Sequence, residues 1–190
     1  SSTFAQIKGL NHTGKGDFTA TIYDLVTQTE AKALTVKNGD IIYISDAETD
    51  IDLTLNADMN SGKYTISDND IRLNDLELSL VGWVAPIGDD IDMNFKFSTP
   101  QNDFKHLLSM VPGAYSENFR KVKTDGEMAL RGTVKGTYSD TKMPALDLKM
   151  DVQNASFQYP DLPMGMKDIG IKASIVSPSS DFDQVVVDVP

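Results

Sequence analysis

The chain contains no cysteine. That removes disulfides, thiolate nucleophiles and thiolate metal ligands together, and it leaves the redox compartment open. Only two histidines occur among 190 residues, His12 and His106. A histidine-based triad needs one of them beside a nucleophile, and no Gly-x-Ser-x-Gly turn is present. Gly14-Lys-Gly16 is too short for a phosphate-binding loop. His12 falls in a turn-like stretch, Gly9 to Gly14, and His106 on the one helical segment; a surface role is expected for each. No catalytic constellation emerges. The expectation is a non-enzymatic protein with no cofactor and no metal site.

Basic residues are also scarce. Lys and Arg total 17 against 28 Asp and Glu, a net charge of −11. Such a chain repels phosphate backbones, so nucleic acid is not an expected partner. No apolar run approaches the roughly 18 residues of a spanning helix; the longest, Leu78 to Ile87, is broken by Ser79, Gly82 and Pro86. The chain opens Ser1-Ser2-Thr3 with neither an initiator Met nor a signal peptide. It reads as a mature chain or a segment of a longer one.

What is present is period-two alternation. Ile51-Asp-Leu53-Thr-Leu55-Asn-Ala57-Asp-Met59, Ile91-Asp-Met93-Asn-Phe95-Lys-Phe97 and Leu146-Asp-Leu148-Lys-Met150-Asp-Val152 alternate strictly. Met128, Leu130 and Val134 keep the same parity, as do Ile169, Ile171, Ala173 and Ile175, and then Val185, Val187 and Val189. Alternate side chains leave a strand on opposite faces, so each stretch has one oily and one wet side. This is the pattern of antiparallel strands covered on one side. Weaker strands are read at Asp17–Asp24, Lys32–Lys37 and Ile41–Ser45, for ten or eleven in all. Between Leu73 and Leu76 the apolar phase slips by one residue, which places a β-bulge at Asn74-Asp75. Asp89-Asp90 reads as a hairpin turn.

One segment, about 100–111, reads as a helix. Thr99 serves as N-cap and Pro100 as first residue. Phe104, Leu107, Leu108 and Val111 form one apolar stripe, and Pro112-Gly113 ends it. Ala114 to Phe119 adds a short turn. Ten strands about 4.8 Å apart make a sheet about 50 Å wide. A helix of eleven residues is about 16 Å long, enough for about a seventh of the oily face. The rest must be covered by closure into a barrel, by folding into a sandwich, or by a guest in a half-pipe. The fold expected is therefore mostly β: a curved antiparallel sheet, groove or partly open barrel, with one principal helix.

The chain is read as a single domain, 1–190, with internal repeats at about 33–80 and 145–176. Val36-Lys-Asn38-Gly39-Asp-Ile41-Ile-Tyr43 matches Val152-Gln-Asn154-Ala155-Ser-Phe157-Gln-Tyr159 in spacing, which places Asn38 and Asn154 at equivalent turns. The acidic run Asp46-Ala-Glu48-Thr-Asp50-Ile-Asp52 lacks the Gly of a calcium loop and reads as a solvated strand face.

Asn154-Ala-Ser-Phe157-Gln-Tyr159-Pro160-Asp161-Leu162-Pro163 with Asp168-Ile169-Gly-Ile171, and Thr124-Asp-Gly126-Glu-Met128-Ala-Leu130-Arg-Gly132-Thr-Val134-Lys-Gly136 before it, resemble the C-terminal region of AsmA-like proteins. So do Asp92 to Phe97 and Phe104 to Pro112. The likeness runs from about Ala47 to Pro190. It implies a periplasmic segment of a Gram-negative envelope protein, held to the inner membrane by an N-terminal anchor and linked to outer-membrane biogenesis. Its partners would be envelope proteins and phospholipid or acyl chains carried in an apolar β-groove. The chain lacks the anchor and ends on a strand where the family continues, so it reads as an excised fragment. Leu53, Leu55, Met93, Phe95, Met128, Leu130, Leu148 and Met150 are the expected groove wall, and adaptable methionines suit an irregular guest. The alternative is a β-sandwich module binding carbohydrate or protein; its candidate aromatics, Trp83, Tyr115 and Tyr138, are ungrouped. A membrane barrel would need aromatic girdles, which one Trp and six scattered Tyr supply poorly.

Overall fold

A computed structural model describes residues 3–39, 41–100, 103–110, 121–159, 164–178 and 186–188. Eleven strands join in one antiparallel sheet. They are β1 (Thr3–Lys8), β2 (Asn11–Gly16), β3 (Ile22–Asn38), β4 (Ile41–Asp58), β5 (Lys63–Leu73), β6 (Leu76–Ile87), β7 (Asp90–Ser98), β8 (Lys123–Tyr138), β9 (Ala145–Gln158), β10 (Met166–Ser177) and β11 (Val186–Asp188), with the helix α1 (Phe104–Leu108) between β7 and β8. β1 and β2 pair with successive parts of β3, so they act as one edge strand interrupted at Gly9-Leu10. Every other pairing joins consecutive strands. The whole is an up-and-down meander, and its first and last strands do not meet. Neither a closed barrel nor a second packed sheet forms among the described residues.

The alternation is realised as expected, but in longer elements. Ile41–Ser45 and Ile51–Met59 belong largely to one strand, β4, of 18 residues. It passes through a bulge where Asp46 adopts φ 47° and its N–H donates to Thr35 Oγ1 at 3.0 Å. Lys32–Lys37 is the end of β3, whereas Asp17–Asp24 is mostly the turn before it. The turn-like reading of Gly9 to Gly14 is corrected as well: His12 lies on β2, opposite Thr29, with Nδ1 2.8 Å from its Oγ1.

Asn74-Asp75 is a hairpin turn rather than a bulge. Leu73 pairs with Leu76 and Ile71 with Leu78, with Asn74 at φ 56° between the strands. A two-residue turn puts i and i+3 side by side on the same face, which produces the one-residue phase slip. The next hairpin turns at Gly88-Asp89, with Ile87 opposite Asp90. Asn38 and Asn154 are not equivalent: Asn38 ends β3 beside the turn at Gly39, while Asn154 lies inside β9 at φ 51°, in a bulge. The local likeness is instead between Asp46-Ala47 and Asn154-Ala155. Each has a left-handed residue followed by an alanine with no exposed surface.

The helix lies within the expected segment but is capped differently. Asp103 is the N-cap, its carboxylate accepting from Lys105 N at 2.8 Å. Thr99 continues the β7–β8 ladder, donating to Leu130 O at 2.9 Å and accepting from Leu130 N at 3.1 Å. Val111, Pro112-Gly113 and the turn at 114–119 lie outside the described residues, as do Val185 and Val189. Five helical residues are far too few to be stable alone, so α1 depends on packing. Phe104 is buried against Leu76, Met128, Val152 and Ala155, with Leu107 and Leu108 beside it. Burying one such phenylalanine contributes about 2–3 kcal/mol.

Candidate functional site

Register assigns every strand residue to a face. Leu25 pairs with Leu55 and Thr27 with Leu53. Ile51, Ile71 and Leu78 form a row, as do Gly82, Phe95, Val134 and Leu146. Met128, Val152 and Ile171 form another, as do Leu130, Met150 and Ala173. One apolar face therefore runs without interruption from β3 to β10. The eight residues expected to share a wall, Leu53, Leu55, Met93, Phe95, Met128, Leu130, Leu148 and Met150, all lie on it.

Helix α1 is the one described element packed over this face, and it sits at one end. Met128 is 1% exposed beneath it and belongs to a small closed core. That corrects its expected place in the wall: the Phe104 ring fills the space a guest would need. The other seven residues are half-buried, with Leu130 and Met150 packed at the edge of that core. The total accessible surface is 12443 Å², against about 8,900 Å² for a compact monomer of this mass.

Glycine and bulges shape the face. Gly82 adopts φ 147°, and a Cβ there would lie 2.1 Å from Asn94 O and 2.7 Å from Phe95 Cα. At Gly132 a Cβ would lie 2.4 Å from the Phe97 ring. These glycines let two phenylalanines of β7 lie over the neighbouring strands. β5 carries an extra residue against both its neighbours between Ile66 and Ile71. There Asn69 replaces the broken ladder: its Oδ1 accepts from Leu80 N at 2.8 Å and its Nδ2 donates to Leu80 O. Bulges and inward glycines bend strands, so the sheet curves instead of lying flat.

The opposite face is polar and carries the recesses formed by described residues. One of about 620 Å³ is bordered by Gln28, Asp52, Asp68, Asp70 and Glu77. Another of about 440 Å³ is bordered by Lys96, Arg131 and Lys149. Of the eight apolar candidates, Leu53 borders the first and Met150 a third of about 390 Å³. The acidic run is spent partly in exposed ion pairs, Asp50 with Arg72 at 2.9 Å and Asp46 with Lys8 at 3.4 Å. Trp83 lies on the polar face with Lys63 Nζ 4.7 Å from its ring centre. Tyr138 lies on the apolar face opposite Ile91, and Tyr115 falls outside the described residues, so these aromatics form no common platform. The grouping that sequence reading missed is Tyr23, Ala57, Tyr64 and Val84, one cross-strand row. Only register reveals it. Among the described residues His106 Nδ1 is buried without a hydrogen-bond partner.

No helix among the described residues is long and apolar enough to cross a membrane. No protein-family model, curated protein or solved structure matches the chain.

Proposed function

We propose that this chain is a non-enzymatic, lipid-handling segment of a cell-envelope protein, and that acyl chains of phospholipid lie along its apolar sheet face. One observation carries the reading: seven half-buried apolar candidates lie on a face eight strands wide that a five-residue helix cannot cover. Exposed apolar area of several hundred Å² is rare without a partner, at about 25 cal/mol for each Å² kept from water. An acyl chain suits such a wall because it needs no hydrogen bonds from it. The AsmA-like resemblance supports the same reading. On that reading the segment is periplasmic, in a longer protein anchored in the inner membrane and serving outer-membrane biogenesis with envelope-protein partners. A sugar- or protein-binding module is less well supported, since the aromatics are dispersed over both faces.

The test is native mass spectrometry with lipid extraction of the purified chain. Phospholipid should co-purify. Leu55→Asp and Met150→Asp should each reduce it while the β circular-dichroism signal stays, because a carboxylate on an open face remains hydrated. Met128→Asp should instead disrupt the α1 end, since an unpaired buried carboxylate costs several kcal/mol. Unchanged lipid content in the first two variants, or collapse of their β signal, overturns the proposal.

A further inference from the structure

The polar face is electrostatically divided. Over β4 to β6 it presents Asp50, Asp52, Asp68, Asp70 and Glu77 with one cation, Arg72, whereas over β7 to β10 four cations follow one another across adjacent strands, with Asp92, Asp147 and Asp151 among them. Ser79, Ser98, Arg131, Lys149 and Ser174 form one cross-strand row that reaches an acidic residue only at its end, where Ser174 pairs with Asp188 of β11. Arg131 stands directly opposite Lys149. Lys96 is diagonal to Arg131, since it pairs with Thr133 two residues on. Lys172 is diagonal to Lys149 in the same way, pairing with Asp151.

Directly opposed Cβ atoms lie about 5 Å apart, and like charges there are destabilising. Around Arg131 and Lys149 the repulsion is barely relieved. Asp147 holds Lys149 at 3.4 Å with both side chains about half exposed, a geometry worth little in water. Among the described residues, Arg131 and Lys96 have no ion pair and no side-chain hydrogen bond. Both border the 440 Å³ recess with Lys149, Ser79, Ser98 and Thr133. Three cationic donors and three hydroxyls, against the single carboxylate of Asp147, thus surround one hollow in a chain whose net charge is −11.

From this juxtaposition we infer that Lys96, Arg131 and Lys149 form a site for a phosphate group. A guanidinium presents a planar fork that matches two phosphate oxygens, and an ammonium adds a point charge beside it. A bound phosphate would turn the Arg131–Lys149 repulsion into a bridge. The site is on the opposite side of the sheet from the apolar face and is independent of it. Its chemistry fits either free phosphate or the phosphodiester of a lipid headgroup.

The test titrates the full chain with inorganic phosphate at constant ionic strength, following the Arg131 side-chain resonance and the unfolding midpoint. A saturable shift and a raised midpoint are expected, with chloride producing neither. Arg131→Gln and Lys149→Gln should each weaken binding about tenfold and abolish the phosphate-dependent rise. In phosphate-free buffer each should unfold at or above the wild-type temperature, because a like-charge pair has been removed. Lys15→Gln on the far edge strand should bind phosphate as wild type does. A parallel arm uses phosphatidylglycerol vesicles against phosphatidylcholine vesicles. Binding to the former that is lost in Arg131→Gln, with no response to free phosphate, assigns the site to a headgroup. Equal responses to phosphate and chloride together with vesicle binding unaffected by Arg131→Gln, or variants that bind both probes like wild type, overturn the inference.

Discussion

At the residue scale, two glycines separate backbone freedom from crowding. Gly39 has φ 56° and open space where a side chain would go, so Gly39→Ala should cost about 1 kcal/mol of left-handed strain. Gly82 combines φ 147° with backbone of the next strand in the way. Gly82→Ala should cost about 3 kcal/mol, from strain and overpacking together. In a chain of this size each kcal/mol moves the midpoint about 2–4 °C, so thermal unfolding distinguishes the two variants. Equal effects would mean that contact with Phe95 does not matter.

At the element scale, the β5–β6 hairpin turn also holds the helix. Asn74 accepts from Glu48 N at 2.8 Å and donates to Ser109 O at 2.9 Å, while Asp75 N donates to Ser109 Oγ at 3.1 Å. Asn74→Gly keeps the left-handed turn and removes both side-chain bonds, a loss of about 2 kcal/mol. Hydrogen exchange at Ser109 and Met110 should accelerate, with the β5–β6 ladder little changed. Unaltered exchange there would show that Phe104 packing alone docks α1. The role of Asn74-Asp75 illustrates what the sequence exposes and what it hides. Alternation made the strands and their oily parity legible, because period two follows directly from backbone geometry. A phase slip is compatible with both a bulge and a two-residue turn, and only the pairing of Leu73 with Leu76 decides between them. The helix was legible from its Phe104, Leu107 and Leu108 stripe, but its cap was misplaced, because Thr99 finds a strand partner in Leu130. That seven of the eight candidates share one half-buried face was legible for the reason the strands were. Met128 was not, since burial under a helix from elsewhere in the chain leaves no mark on local periodicity. The cationic row escaped notice for a similar reason: Lys96, Arg131 and Lys149 are distant in sequence and meet only through register.

At the scale of the whole molecule, every strand pairing among the described residues joins consecutive strands, apart from that of β1 with β3, so none bridges distant parts of the chain. Stability should therefore behave almost as a sum of neighbour terms. Amide protection is expected to be highest in β5 to β8 and to fall toward β1, β2 and β11; a uniform profile would instead indicate one cooperative unit. The same topology makes strand number a free variable. A hairpin inserted at any turn adds two rows of alternating side chains and about 10 Å of width, requires no new kind of connection, and leaves the existing pairings intact. A closed barrel cannot be lengthened this way, because its strand number and shear are fixed together. This sheet measures its span simply by counting strands, so evolution or design can set how far its oily surface reaches by duplicating hairpins.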